Sequence, residues 1–315
     1  MAISEPKIAK KYVHRLNINH LRGRCLKLPS TKKREIMVVY GHHTSLERML
    51  PLAEALNNFG PVYMPDLPGF GGMNSLYRIG ESADFDTMAD YLAAVIKLYY
   101  KNRRFTLVGF SVGFEIATRL LQKYPDIAER VDLVVSVSGF LRPSDFKIPA
   151  GYYRFLKLSS WIFSRKYPAK FFRITALNRP LLTLVYQRTK HAKHKLEGVL
   201  GEDFKLMRRF EVKLWQINDV RTYMKIAREM FTKDLTNQKV DRPAAIVSFG
   251  DGDQYFDPAA SEASIRRVYE KAQLYRADLD RHMPSVLSSK EEALRMLPKD
   301  LQRRLSRPPY RPKRR

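Results

Sequence analysis

The 315-residue chain carries a single cysteine, Cys25. No disulfide can form within it, and a reducing compartment fits. Acid is scarce too: 32 Asp and Glu stand against 57 Lys and Arg, a formal net charge of +25. No uncharged run approaches the ~20 residues a bilayer-spanning helix requires. The segment Met1 to Lys7 lacks the continuous apolar stretch of a secretory signal. No internal repeat marks a solenoid, and nothing resembles an RNA- or DNA-reading motif. The positive field favours anionic partners, but without such a motif no specific nucleic acid is expected, and a solvated basic coat is the simpler reading. Hydrophobic residues make up 44% of the chain, enough to bury a sizeable core. A soluble, cytoplasmic protein is expected, with peripheral contact to an anionic membrane left open.

What is present is an alternation of apolar runs and helical patterns. Tyr12 to Ile18 and Leu21 to Leu28 read as two antiparallel strands around an Asn19-His20 turn, with Cys25 a buried structural thiol. Ile36 to Tyr40 is a continuous apolar run typical of a strand buried on both faces. A helix follows from Leu46, in which Pro51 is tolerable only near the first turn. Next come a strand at Pro61 to Pro65, a helix over Asp84 to Tyr100, a strand ending at Phe110, a helix ending near Tyr124, and a strand at Val131 to Ser138. Alternation of this kind predicts parallel strands joined by right-handed crossovers. It breaks between about Lys147 and Leu235, where only helical patterns occur, and resumes with strands at Ala244 to Phe249 and Ala272 to Ala277. A helix at Glu262 to Lys271 and a last one from Ser289 complete the pattern.

One stretch concentrates the chemistry. Gly109-Phe110-Ser111-Val112-Gly113 follows an apolar strand and opens a helix. On such a turn the serine adopts a strained conformation that exposes its hydroxyl, and flanking glycines avoid collision where strand and helix close together. A serine hydroxyl needs a base to take its proton, and the base needs a carboxylate to fix its tautomer. The chain offers Ser111, Asp253 and His282, in that order, each just beyond a predicted strand.

These residues, with the loop Asp66-Leu67-Pro68-Gly69-Phe70-Gly71, the segment Phe249-Gly250-Asp251-Gly252-Asp253, and Arg281-His282-Met283-Pro284, resemble a capped member of the α/β-hydrolase superfamily over roughly residues 34–300. The resemblance implies an α/β-hydrolase fold: a mostly parallel sheet flanked by helices, with a helical cap inserted between two late strands. It implies Ser111 as nucleophile, His282 as base and Asp253, three residues after the strand-end glycine, as acid in preference to Asp251. Asp145 is the second-choice acid, and Asp66 is structural by the same resemblance. Val112 and His42 would donate the backbone N–H groups of an oxyanion hole, with Gly41, Gly109 and Gly113 supporting the motif. The chain departs from the family pattern at Tyr40, where histidine is common, and at Arg281, where glycine is usual. The side chains of His42 and His43 either line the pocket or are plain polar loop residues.

The expected organisation is a first core part over 1–146, a cap over 147–235, a second core part over 236–302 and a disordered basic tail over 303–315. The cap is rich in aromatics among Lys and Arg, which suits a lipophilic ester and leaves contact with anionic lipid open. His191 and His194 have metal-like spacing but no acidic or cysteine partner nearby, so no metal and no cofactor are expected. The function expected is hydrolysis of a carboxylic ester through an acyl-enzyme. The alternatives are acyl transfer or C–C bond hydrolysis on the same triad, or a catalytically inactive binder with a basic surface. Serine at position 111 disfavours epoxide hydrolase or dehalogenase chemistry, whose enzymes carry Asp there by the same resemblance.

Overall fold

A computed structural model describes residues 7–188, 201–250, 253–277 and 289–308. Eight strands form one sheet: β1 (Val13–Ile18), β2 (Leu21–Leu28), β3 (Ile36–Val39), β4 (Val62–Pro65), β5 (Phe105–Phe110), β6 (Val131–Val137), β7 (Ala244–Ser248) and β8 (Ala272–Arg276). Their spatial order is β1-β2-β4-β3-β5-β6-β7-β8. β1 and β2 are antiparallel to their neighbours, and β3 to β8 run parallel. Every residue of β3, β4, β5 and β6 is buried, which is why these strands read as unbroken apolar runs rather than alternations.

Helices cover the sheet. α1 (Leu46–Asn57), α2 (Phe85–Tyr99) and α3 (Val112–Lys123) follow β3, precede β5 and follow β5, and a short α4 (Pro125–Ala128) leads to β6. α2 begins where Asp84 and Thr87 satisfy each other's backbone N–H in a capping box. Pro51 is a correction to the expectation above: it sits in the second turn of α1, not near the first. The helix survives because Met49, Leu52, Ala53 and Leu56 are fully buried on the same element, and burial outweighs the missing hydrogen bond. Cys25 is fully buried, as expected.

Between β6 and β7 lie α5 (Ala150–Phe163), α6 (Lys166–Thr175), α7 (Arg179–Arg188), α8 (Gly201–Ile217) and α9 (Val220–Met230). They share an apolar cluster of their own, including Ala169, Leu177, Leu182, Met207, Phe210 and Leu214. After β7, α10 (Pro258–Val268) starts four residues earlier than the apolar pattern suggested, because the Asp257 side chain accepts the Ala260 N–H and Pro258 opens the first turn.

Residues 289–308 form two helices where one was expected: α11 (Lys290–Arg295), capped by Ser289, and α12 (Lys299–Ser306). α12 carries helical structure into the segment expected to be a tail. Leu301 and Leu305 are buried, and the Arg34 guanidinium donates to the Leu305 and Arg307 carbonyls while pairing with Asp132 at 2.7 Å.

Candidate active site

Strand order fixes where a site can form. From β3 the chain moves to β4 on one side and then returns to β5 on the other. In an open parallel sheet the crevice lies outside the carboxyl ends of the strands at such a switch point. The residues just beyond β3 are Tyr40, Gly41, His42 and His43, and the residue just beyond β5 is Ser111.

Ser111 has φ 50° and ψ −126° and caps the N-terminus of α3. A left-handed φ on a non-glycine residue costs about 1–3 kcal/mol and must be imposed by its surroundings. Here the Ser111 N–H is held by the Val137 carbonyl at 2.9 Å, and its own carbonyl accepts the Phe114 N–H at 2.8 Å. Three glycines make the turn sterically possible. A Cβ on Gly109 would lie 2.5 Å from the Phe114 Cα, and one on Gly113 would lie 2.3 Å from the Val39 carbonyl oxygen. A Cβ on Gly41 would come within 3.2 Å of the Ser111 Cβ, so the β3 loop lies directly against the serine. Val112 is the first helical residue of α3, so its N–H has no partner within the helix. The structure therefore brings Ser111, Val112, Gly41, His42, Gly109 and Gly113 together at the switch point.

Asp253 is buried, and its Oδ1 accepts the Tyr255 N–H at 2.9 Å and the Phe256 N–H at 3.1 Å. The loop carrying it is strapped to the chain after β6 by a Phe146–Phe256 bridge, a Lys147 N–H to the Tyr255 carbonyl, and an Asp257 N–H to the Asp145 carbonyl. Asp145 is fully buried, and four donors engage its carboxylate: Leu141 N–H, Arg142 N–H and Ser264 Oγ on Oδ2, and Arg142 Nε on Oδ1. His282 and Arg281 lie outside the described residues, as do Asp251, His191 and His194.

The departure at Tyr40 has a physical account. Its fully buried hydroxyl donates to the Asp66 carboxylate at 3.1 Å and accepts the Leu67 N–H at 2.7 Å. Arg24 Nε donates to the other Asp66 oxygen at 3.0 Å. Burial pushes the Asp66 carboxyl up to about 7 against the pull of the Arg24 charge. Asp66 is thus a structural acid, and Tyr40 positions the turn after β4. Tyr40→Phe strands the buried Leu67 N–H and is expected to lower stability by about 1–3 kcal/mol, read as a lower urea midpoint.

The helices between β6 and β7 reach this edge through residues the sequence did not single out. Glu211 on α8, fully buried, faces His43 Nε2 at 3.2 Å and Arg48 Nη2 at 3.3 Å. Trp215, also on α8, packs on the His43 ring at 4.5 Å. Tyr223 on α9 packs on the His42 ring at 3.8 Å and offers its carbonyl to His42 Nε2 at 2.9 Å. Two further bonds, Asp219 N–H to the Gly69 carbonyl and Gly71 N–H to Asn218 Oδ1, fasten the junction of α8 and α9 to the loop after β4. Both histidine side chains therefore hold the helices between β6 and β7 against this edge of the sheet. No local signal reveals Glu211, because its partners are some 168 residues away in sequence.

One turn beyond Ser111, Glu115 is fully buried, and among the described residues neither of its oxygens has a hydrogen-bond partner. Burial first, then the charges of Asp145 and Glu229, push its carboxyl well above the ordinary range. A folded value above the unfolded one contributes stability that is complete below about 4.5 and is lost as pH rises toward the folded value. Glu115→Met is expected to raise stability by about 1–3 kcal/mol at neutral pH, with an advantage that widens from pH 5 upward in urea titrations.

Among the described residues no helix is long and apolar enough to cross a membrane. No curated protein matches the chain. Among solved structures, the N-formylmaleamic acid deformylase of Pseudomonas putida S16 is similar with a TM-score of 0.62 at 15% identity, covering 90% of this chain and 98% of that one. A thermophilic esterase from Thermogutta terrifontis gives 0.58 at 15% identity, covering 93% and 100%. An epoxide hydrolase gives 0.61 at 15% identity, covering 90% and 93%. At such identities the likeness is one of fold. The model of the alpha/beta hydrolase fold family matches residues 43–287, from the loop after β3 to beyond β8. The chain belongs to the alpha/beta hydrolase fold family.

Proposed function

We propose that the protein is a serine hydrolase that cleaves a lipophilic carboxylic ester through an acyl-enzyme. The observation that carries this reading is the strained Ser111 turn at the switch point, with the Gly41 loop packed against the serine. In the proposed sequence His282 takes the Ser111 proton as Oγ attacks the ester carbonyl, and Asp253 holds the imidazole in the required tautomer. The backbone N–H groups of Val112 and His42 receive the developing oxyanion. His282 then protonates the leaving alkoxide, and a water activated by the same base releases the acid.

Two aromatic clusters support a lipophilic substrate. In the sheet β5, which leads into Ser111, lies between β3 and β6, and an aromatic cluster follows each of those two strands. Beyond β3 stand His42, Tyr223 and Trp215. Beyond β6 stand Phe140 and Phe256, stacked at 4.2 Å, with Phe146 and Phe231. Apolar walls with a few polar groups at the reacting centre are the usual makeup of a small-molecule site. A panel of p-nitrophenyl esters of increasing acyl length tests the proposal. Turnover that is abolished in Ser111→Ala supports it, and turnover indifferent to that change contradicts it.

A further inference from the structure

Large apolar side chains left in solvent are concentrated in one place. Among the described residues, every exposed large hydrophobic except Leu98 lies between Tyr152 and Leu184, on α5, α6 and α7. On α6, Ala169 and Phe172 face the apolar cluster of the helices between β6 and β7, yet Tyr167, Phe171 and Ile174 are 78%, 67% and 65% exposed. Their i, i+4, i+7 spacing makes a second apolar stripe on the outer face of the same helix. On α5, Tyr152, Phe155 and Leu158 are at least half exposed, and the first two stack their rings at 6.3 Å. The helices are braced together by Phe163 against Phe172 at 4.5 Å and held to α9 by Arg221 Nε on the Ser164 carbonyl.

The charge around these stripes has one sign. No Asp or Glu occurs between Asp145 and Glu197. Arg154 and Lys157 on α5 and Lys166 and Lys170 on α6 are exposed, and none has a carboxylate partner among the described residues. Lys166 Nζ lies 5.9 Å above the Tyr167 ring, and the Arg165 guanidinium lies 3.8 Å above that of Trp161. Exposed large apolar side chains concentrated on neighbouring helices in this way mark an interaction surface. An apolar helix stripe bordered by cations matches the boundary between headgroups and acyl chains of an anionic bilayer. Two copies of the same face would bring cations against cations, so a second copy of this chain is the poorer fit.

We propose that the outer face of α5 and α6 docks the protein on the surface of an anionic membrane. Tyr152, Phe155, Phe171 and Ile174 enter the headgroup boundary, and Arg154, Lys157, Lys166 and Lys170 meet lipid phosphates. Docking is independent of the catalytic reading, so Ser111→Ala binds like the unaltered protein.

The test is co-flotation of the full chain with vesicles of phosphatidylcholine alone and of phosphatidylcholine mixed with phosphatidylglycerol. Binding is expected only to the mixed vesicles, weakening as salt is raised. K166E/K170E is expected to weaken it at least tenfold, and F171S/I174S, which leaves the charge unchanged, about tenfold or more. These side chains are exposed, so both variants should keep the unfolding midpoint of the parent. The failure of one variant to fold leaves the other to decide. Absence of binding to mixed vesicles, or binding indifferent to a folded F171S/I174S variant, overturns the proposal. So does self-association without lipid that F171S/I174S abolishes, which would assign the face to a second copy.

Discussion

Replacing Ser111 by alanine should lower ester turnover by about 10⁴–10⁶-fold, the range expected when the nucleophile of a triad is removed. The backbone makes a companion prediction that separates catalysis from folding. Ser111 sits at φ 50°, where any Cβ is strained and glycine is not. Ser111→Gly should therefore abolish turnover as fully as alanine does while raising stability by about 1 kcal/mol. Alanine keeps its Cβ and should leave the unfolding midpoint close to the parent value. Stability gained with activity lost is the signature of strain held at a site for function, since a serine kept for packing would lose stability when its side chain is removed. The pair is read by urea unfolding and by turnover of a p-nitrophenyl ester.

The second large effect concerns the acid. Asp253→Asn should lower turnover by about 10⁴-fold. The amide oxygen of asparagine can still accept the Tyr255 and Phe256 N–H groups that hold the loop, so stability should barely change. Asp145→Asn should behave in the opposite way. Its carboxylate is engaged by four donors, one of them a guanidinium Nε, and an amide NH₂ cannot accept from them. Loss of that network should appear as a lower unfolding midpoint with turnover per folded molecule largely kept. A reversed pattern, in which Asp145→Asn is inactive and stable, would reassign the acid.

How much was legible in the sequence follows from how local each feature is. Strands β3 to β6 lie in the middle of a parallel sheet, so their apolar runs announce them, and the Ser111 turn is carried by five consecutive residues. The helices between β6 and β7 were legible only as a break in the alternation. What the sequence did not reveal depends on distant partners. The acceptance of Pro51 in the second turn of α1 rests on burial of that helix. The roles of Tyr40 and of the two histidines after Gly41 depend on Asp66, Glu211 and Tyr223, brought there by folding. The first turn of α10 is set by the Asp257 cap, which outweighs the apolar period, and α12 extends to Ser306 because Leu305 packs and Arg34 binds the Leu305 and Arg307 carbonyls. His282 remains a reading from the sequence.

The central claim is that Ser111 is an activated nucleophile. Treating the folded protein with a fluorophosphonate and mapping the adduct by peptide mass spectrometry tests it most directly. The account predicts one phosphonyl group on the peptide containing Ser111, lost on prior denaturation and in Asp253→Asn much slowed. An unlabelled Ser111 in folded protein, or a label that forms equally well after unfolding, would contradict it.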